Sequence, residues 1–109
     1  MALTVQQVFE GMPQAFRTEM AGEDSLVFQF HITGDQAGDW QVSIDGGQCT
    51  VSQGVHDKPT VSLTLKDKNW LAMASGELSG AKAFMTGKLK LKGDLMAAQK
   101  LGTYFKLAA

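Results

Sequence analysis

The sequence predicts an α+β fold. We expect a five-stranded, mainly antiparallel sheet with one face covered by helices, a two-layer sandwich enclosing an apolar cavity. Three observations point to it. Five short runs alternate apolar and polar residues, as half-buried strands do. Each run keeps one polar face, which suits a largely antiparallel sheet with water on one side. Helical periodicity is confined to the two ends and to a segment before the last strand, so the helices have one apolar sheet face to cover. The 109 residues are read as one domain, 1–109, of a size that buries roughly two-thirds of its unfolded surface.

The chain opens on a helix signal. Thr4 and Gln7 form a capping box, in which each satisfies an unpaired amide of the first turn. Val5, Val8, Phe9, Met12 and Phe16 then recur at helical spacing as a broad apolar stripe. Pro13 removes a donor and pushes Met12 out of the helical region, which predicts a break or kink there, with a second short helix beginning at Pro13. Gly22 ends the helical part.

Strands follow. In Leu26–Thr33, Leu26, Phe28, Phe30 and Ile32 share a face, and Val27, Gln29, His31 and Thr33 take the other. In Asp39–Asp45, Trp40, Val42 and Ile44 alternate with Gln41 and Ser43. Asp45-Gly46-Gly47 is a tight-turn signal joining this strand to Gln48–Ser52, where Cys49 and Val51 face inward. Val61, Leu63 and Leu65 alternate in a fourth strand after the loop from Gly54 to Pro59. Asp67 is placed to cap a helix carrying Trp70, Leu71, Met73 and Ala74, closed by Gly76, with Ser79-Gly80 as a hinge after it.

The last third is the densest. Ala83, Phe84 and Met85 make a short apolar turn ending at Gly87. Lys88, Lys90 and Lys92 then alternate with Leu89 and Leu91 in the fifth strand. Gly93 stops it, and Asp94 caps a final helix in which Leu95, Ala98, Leu101 and Phe105 fall on one side. Gln99 lies at the edge of that stripe, where an amide offers either a contact with water or a hydrogen bond to the polar end of an apolar ligand.

Charge and composition narrow the function. Net charge is −1, too near neutral for a dedicated nucleic-acid binder. Residues 1–54 carry Arg17 against seven acids, whereas residues 55–109 carry nine lysines against four acids. If Lys88, Lys90 and Lys92 share a face with Lys66, that face is locally basic. The bland reading is a solvated sheet face, and the functional one is docking to an anionic membrane or an acidic partner. No stretch approaches the roughly 20 apolar residues of a membrane span, and no secretory signal is visible. The single cysteine, Cys49, fits a reducing compartment.

Catalytic signals are weak. His31 and Cys49 fall on opposite faces by alternation, so a Cys–His dyad is not expected, and Cys49 reads as a small buried hydrophobe. His56 and Asp57 have no partners at metal-ligand spacing. Gly80 to Lys88 misses the phosphate-loop spacing and has Leu89 where Ser or Thr is required. We therefore expect no enzyme activity, no cofactor and no metal. By contrast Met12, Met20, Met73, Met85 and Met96 all fall in helical or turn segments, where a flexible thioether adapts either to a core or to variable apolar ligands.

The run Ala83-Phe84-Met85-Thr86-Gly87-Lys88-Leu89-Lys90-Leu91-Lys92-Gly93-Asp94, followed by Gln99-Lys100-Leu101, resembles the sterol carrier protein type 2 (SCP2) domain family. Trp40-Gln41-Val42-Ser43-Ile44-Asp45-Gly46, Gln53-Gly54 and Pro59 before an alternating strand fit as well. The resemblance implies a sheet covered by helices around an apolar tunnel for a fatty acid, fatty acyl-CoA, sterol or isoprenoid-like lipid. Trp40 matches a family aromatic near the ligand, Gln99 the glutamine that contacts ligand from the last helix, and Phe84 and Met85 the apolar pair before Gly-Lys-Leu-Lys. The segment Gly76–Lys82 lacks the proline common there. The ending Phe105–Ala109 differs from the peroxisomal Ser-Lys-Leu type. A bacterial-type, stand-alone, cytoplasmic member is the resulting expectation.

The functional expectation is non-enzymatic lipid binding and transfer. Phe28, Phe30, Trp40, Trp70, Met73, Phe84, Met85, Met96 and Gln99 are the candidate ligand-binding residues. Phe9, Met12 and Phe16 are the candidate lid or wall, with release at the Pro13 break. The alternative is an accessory protein that presents a lipid-like intermediate to a membrane or to biosynthetic enzymes through Lys88, Lys90 and Lys92.

Overall fold

One row of residues crosses the entire sheet: Gln53, Trp40, Phe30, Leu63 and Leu91 are paired neighbour to neighbour on five strands. The computed structural model describes residues 3–105. Its strands are β1 (Leu26–Thr33), β2 (Gly38–Asp45), β3 (Gln48–Gln53), β4 (Val61–Lys66) and β5 (Leu89–Gly93), in the order β3-β2-β1-β4-β5. Only the β1–β4 pair is parallel, so the sheet is mainly antiparallel, as the alternation implies.

Alternation sets the layers. Phe28, Phe30, Ile32, Trp40, Val42, Ile44, Val61, Leu63, Leu65 and Leu89 are buried on one face. Cys49 and Val51, on the edge strand β3, are only half-buried. The β2–β3 turn puts Gly46 and Gly47 at φ 58° and 76°, a left-handed pair that a two-residue hairpin requires and that glycine adopts without strain.

Helices α1 (Val5–Ala15), α2 (Thr18–Ala21), α3 (Asp67–Ala74), α4 (Gly80–Met85) and α5 (Leu95–Tyr104) complete the described residues. The Thr4–Gln7 capping box forms in both directions. Helix α1 packs over β3 and against α3, and α5 over β4 and β5. Phe9 sits at the centre of the core, with ring centroids 4.9 Å from Trp40, 5.0 Å from Trp70 and 5.1 Å from Phe30. Trp70 Nε1 is buried there without a hydrogen-bond partner among the described residues.

Three local expectations are corrected. Helix α1 does not break at Met12 but runs through Pro13 to Ala15, and the next helix starts at Thr18. Pro13 lies near the C-terminal end, where one lost backbone bond is tolerated, and the buried side chains of Phe9 and Met12 hold the turn in place. Asp67 is the first helical residue of α3 and not its cap. Its buried carboxylate accepts from Gln36 N at 2.9 Å and Lys68 N at 2.7 Å, and these amides hold it below the usual carboxylate range. The segment before Gly87 is a true helix, α4, because the Ser79 hydroxyl accepts from Lys82 N at 3.1 Å.

The chain must pass from the edge strand β3 back to β4 beside β1. Gln29 secures that connection. Its Nε2 donates to Gly54 O at 3.0 Å and Trp40 O at 3.2 Å, and its Oε1 accepts from His56 N at 2.8 Å. Gln29 is therefore buried although it lies on the polar face, and all its polar atoms are satisfied. Among the described residues no helix is long and apolar enough to cross a membrane.

Candidate functional site

The β4–β5 end of the sheet carries an apolar groove of about 460 Å³, within the roughly 300–1,000 Å³ span of small-molecule sites. Leu63, Leu89 and Leu91 come from the sheet, and Met73 comes from α3. Gly80, Ala81, Phe84 and Met85 come from α4 and Leu95, Ala98, Gln99, Leu101 and Gly102 from α5. Gln99 is the one polar side chain in that lining, and no charged side chain contributes.

Residue size explains the space. Helix α5 has two sides. Ala97 and Tyr104 are buried away from the groove, Leu95, Ala98 and Gly102 face it, and Leu101 is buried at its floor. Gly80, Ala81, Ala98 and Gly102 are too small to fill the gap between α4, α5 and β5. A Cβ built on Gly102 would meet nothing within 4 Å.

Helix α5 is held at both ends. Asp94 accepts from Met96 N at 3.0 Å and Ala97 N at 3.2 Å, and its own N–H donates to Thr60 O at 3.0 Å. At the other end Arg17 N donates to Tyr104 O at 2.7 Å, and Phe16 and Phe105 form a β-bridge. The Tyr104 hydroxyl donates to the Asp24 carboxylate, which also receives Lys100 Nζ at 3.5 Å. Tyr104 lowers the Asp24 pKa, with Lys100 adding to it. Burial, then Asp24, raises that of Tyr104.

The structure divides the candidate residues. Met73, Phe84, Met85 and Gln99 come together in the groove. Phe28, Phe30, Trp40 and Trp70 do not line it. Phe30, Trp40 and Trp70 pack around Phe9 in the core, and Phe28 packs edge-on against Tyr104, because strand alternation identifies the inward face but not which end of it is left unfilled. Met96 also lies outside the lining, because its side of α5 faces solvent. Phe9 and Met12 are fully packed core residues and not a lid, and Phe16 packs on Tyr104 and Phe105. Leu63, Leu89, Leu91, Leu95, Ala98 and Gly102 were not singled out as lining. The Ala98–Gly102 spacing along one side of α5, next to Ala97–Leu101, is the signal for the α5 part of the lining.

Reactive groups are not assembled. Cys49 is half-buried on β3, where burial pushes its thiol up to about 11. His31 Nδ1 pairs with Asp39 at 2.7 Å on the outer face. Among the described residues no group of three or more His, Cys, Asp or Glu is placed to hold a metal.

A family model described as the SCP-2 sterol transfer family matches residues 7–106. Hydroxysteroid dehydrogenase-like protein 2 of Xenopus tropicalis is 29% identical over 98 residues, covering 89% of this chain and 24% of that protein. Peroxisomal multifunctional enzyme type 2 of Mus musculus is 32% identical over 91 residues, covering 81% of this chain and 12% of that protein. The chain thus spans a quarter or less of these relatives. The solution structure of palmitated SCP2L2 from Aedes aegypti superposes with a TM-score of 0.74 at 28% identity, covering 91% of each chain.

Proposed function

The chain belongs to the SCP-2 sterol transfer family, a family of lipid-binding domains, and we propose that its groove carries the acyl chain of a fatty acid or fatty acyl-CoA. The observation that carries this reading is a groove lined by Leu, Met, Phe, Ala and Gly with one amide, Gln99. Apolar burial drives binding, at about 0.8 kcal/mol per methylene removed from water before ordering costs. Gln99 gives the polar end of the lipid its hydrogen bond. With no cation in the lining, a carboxylate or thioester sits toward the open mouth. The palmitated state of the Aedes aegypti neighbour supports a chain of that kind. The domain acts by binding and release, without catalysis.

Palmitate titration, followed by calorimetry, tests this. Saturable binding at one site is expected, with Gln99→Ala weakening it about three- to tenfold, the value of one hydrogen bond. Affinity for myristate should be lower. Absence of heat and of a mass adduct at high palmitate would overturn the reading.

A second reading is favoured by one placement. Lys66, Lys90 and Lys92 are exposed on the outer face of β4 and β5, with Lys88 just before β5. In that reading the loaded protein presents its lipid to an acidic partner enzyme across this face. Neutralising these lysines would then abolish complex formation while leaving palmitate affinity intact.

A further inference from the structure

The rim of the groove is unusually apolar. Met85 is 84% exposed and Met96 74%, with Phe84 and Leu95 each 48% exposed. Single exposed apolar side chains are ordinary, but three that line one opening, with exposed Met96 next to Leu95 on α5, form a patch that water does not favour. Phe84, Met85 and Leu95 also line the groove, so the patch and the opening are continuous.

Cations flank this rim. Lys82 lies one helical turn before Met85 on α4, a spacing that places it beside that methionine, whereas Lys100 on α5 is paired with Asp24 at 3.5 Å. Lys88 follows α4 directly and is exposed. The nearest acids along the chain are Glu77 and Asp94, and Asp94 is engaged with the first amides of α5. Apolar side chains flanked by Lys82 and Lys88 match the two layers of an anionic bilayer, acyl chains below and phosphates at the surface.

We propose that the groove mouth, formed by Phe84, Met85 and Leu95 with Lys82 and Lys88 and continued by exposed Met96 beside Leu95, is the surface that docks on an anionic phospholipid bilayer. The proposal extends the carrier reading by naming where lipid enters, and it rests on that reading for its purpose alone. A mouth seated in the interface lets an acyl chain slide into the groove without crossing water. It also assigns membrane contact to a different surface from the outer-face lysines Lys66, Lys90 and Lys92.

Vesicle flotation tests it, with phosphatidylcholine:phosphatidylglycerol vesicles at 3:1 and with pure phosphatidylcholine. The wild-type protein should float with the anionic vesicles and be released near 0.5 M salt, where screening is short-ranged. Met96→Glu should reduce the floating fraction at least fivefold. Lys82→Gln/Lys88→Gln should do the same on anionic vesicles, at about fivefold per lysine, without changing palmitate affinity in vesicle-free solution. Lys66→Gln/Lys90→Gln/Lys92→Gln should float as wild type does. Failure of the wild-type protein to float overturns the proposal, as does loss confined to the outer-face variant. If the wild-type protein floats but binds no palmitate, docking stands and the carrier reading falls.

Discussion

Phe9 and Trp40 stack with centroids 4.9 Å apart and planes 13° from parallel. The same phenylalanine lies 5.0 Å from Trp70, at 19°, so it is sandwiched between two indoles from β2 and α3. Helix α1 is therefore tied to the sheet through one ring. Phe9→Ala should cost about 3–5 kcal/mol, as large aromatic truncations in packed cores do. Urea denaturation monitored by Trp fluorescence would measure it. A loss below 1 kcal/mol would mean that the site collapses around the missing ring.

Gly102 separates folding from binding. It lies inside α5, where glycine is about 1 kcal/mol worse than alanine, and it faces open space in the groove. Gly102→Leu should raise the melting temperature while weakening palmitate at least tenfold by filling its place. Unchanged palmitate affinity would move the ligand elsewhere.

The Tyr104–Asp24 contact makes stability depend on pH in a defined direction. The folded state depresses the Asp24 pKa, so its contribution is present above the ordinary carboxylate pKa, near 4, and is lost as pH falls through the folded value. Tyr104 is shifted up, so its contribution is complete below about pH 10 and is lost as pH rises through its folded value. Tyr104→Phe should lower stability by a constant amount between about pH 5 and 9. The deficit should shrink in acid, and chemical denaturation at a series of pH values would show it. A deficit that persists undiminished at pH 2 would assign the effect to packing instead.

Cys49 should be sluggish. A thiol raised from 9.0 to about 11 carries about a hundredfold less thiolate at pH 8, and the thiolate is the reactive form. Labelling with a disulfide reagent should be at least a hundredfold slower in the native protein than in urea. Cys49→Ala should leave palmitate binding unchanged, whereas lost binding would place Cys49 in the site.

The sheet was legible because period-two alternation is local: each strand states its own inward face without help from the rest of the chain. Caps were legible for the same reason at Thr4 and Asp94. Ser79 was passed over as a hinge, although its hydroxyl caps α4. Gln29 was read correctly as outer-face but not as buried, since its cover is chain that arrives 25 residues later in sequence, at Gly54. The groove was half legible. Phe84, Met85 and Gln99 were found through resemblance, and Met73 through its apolar character. Phe28, Phe30, Trp40 and Trp70 have the same inward signature as lining residues, and only their packing, on Phe9 for three of them and on Tyr104 for Phe28, distinguishes them. A groove is a place where side chains are too small, and small residues leave little trace in a hydrophobic pattern.

The groove draws its lining from one continuous stretch, Leu63 to Gly102, while the aromatic core takes Phe9, Phe28, Phe30 and Trp40 from before it, with Trp70 as the exception. The groove and the cluster around Phe9 are thus drawn from largely separate parts of the chain, and Leu63, Met73, Leu89 and Leu101 belong to both the groove lining and the buried core. Changes in α4, β5 and α5 can therefore reshape the groove without disturbing the cluster around Phe9. By the same logic, grafting that segment from a relative with another cargo is a short route to altered selectivity on the same scaffold.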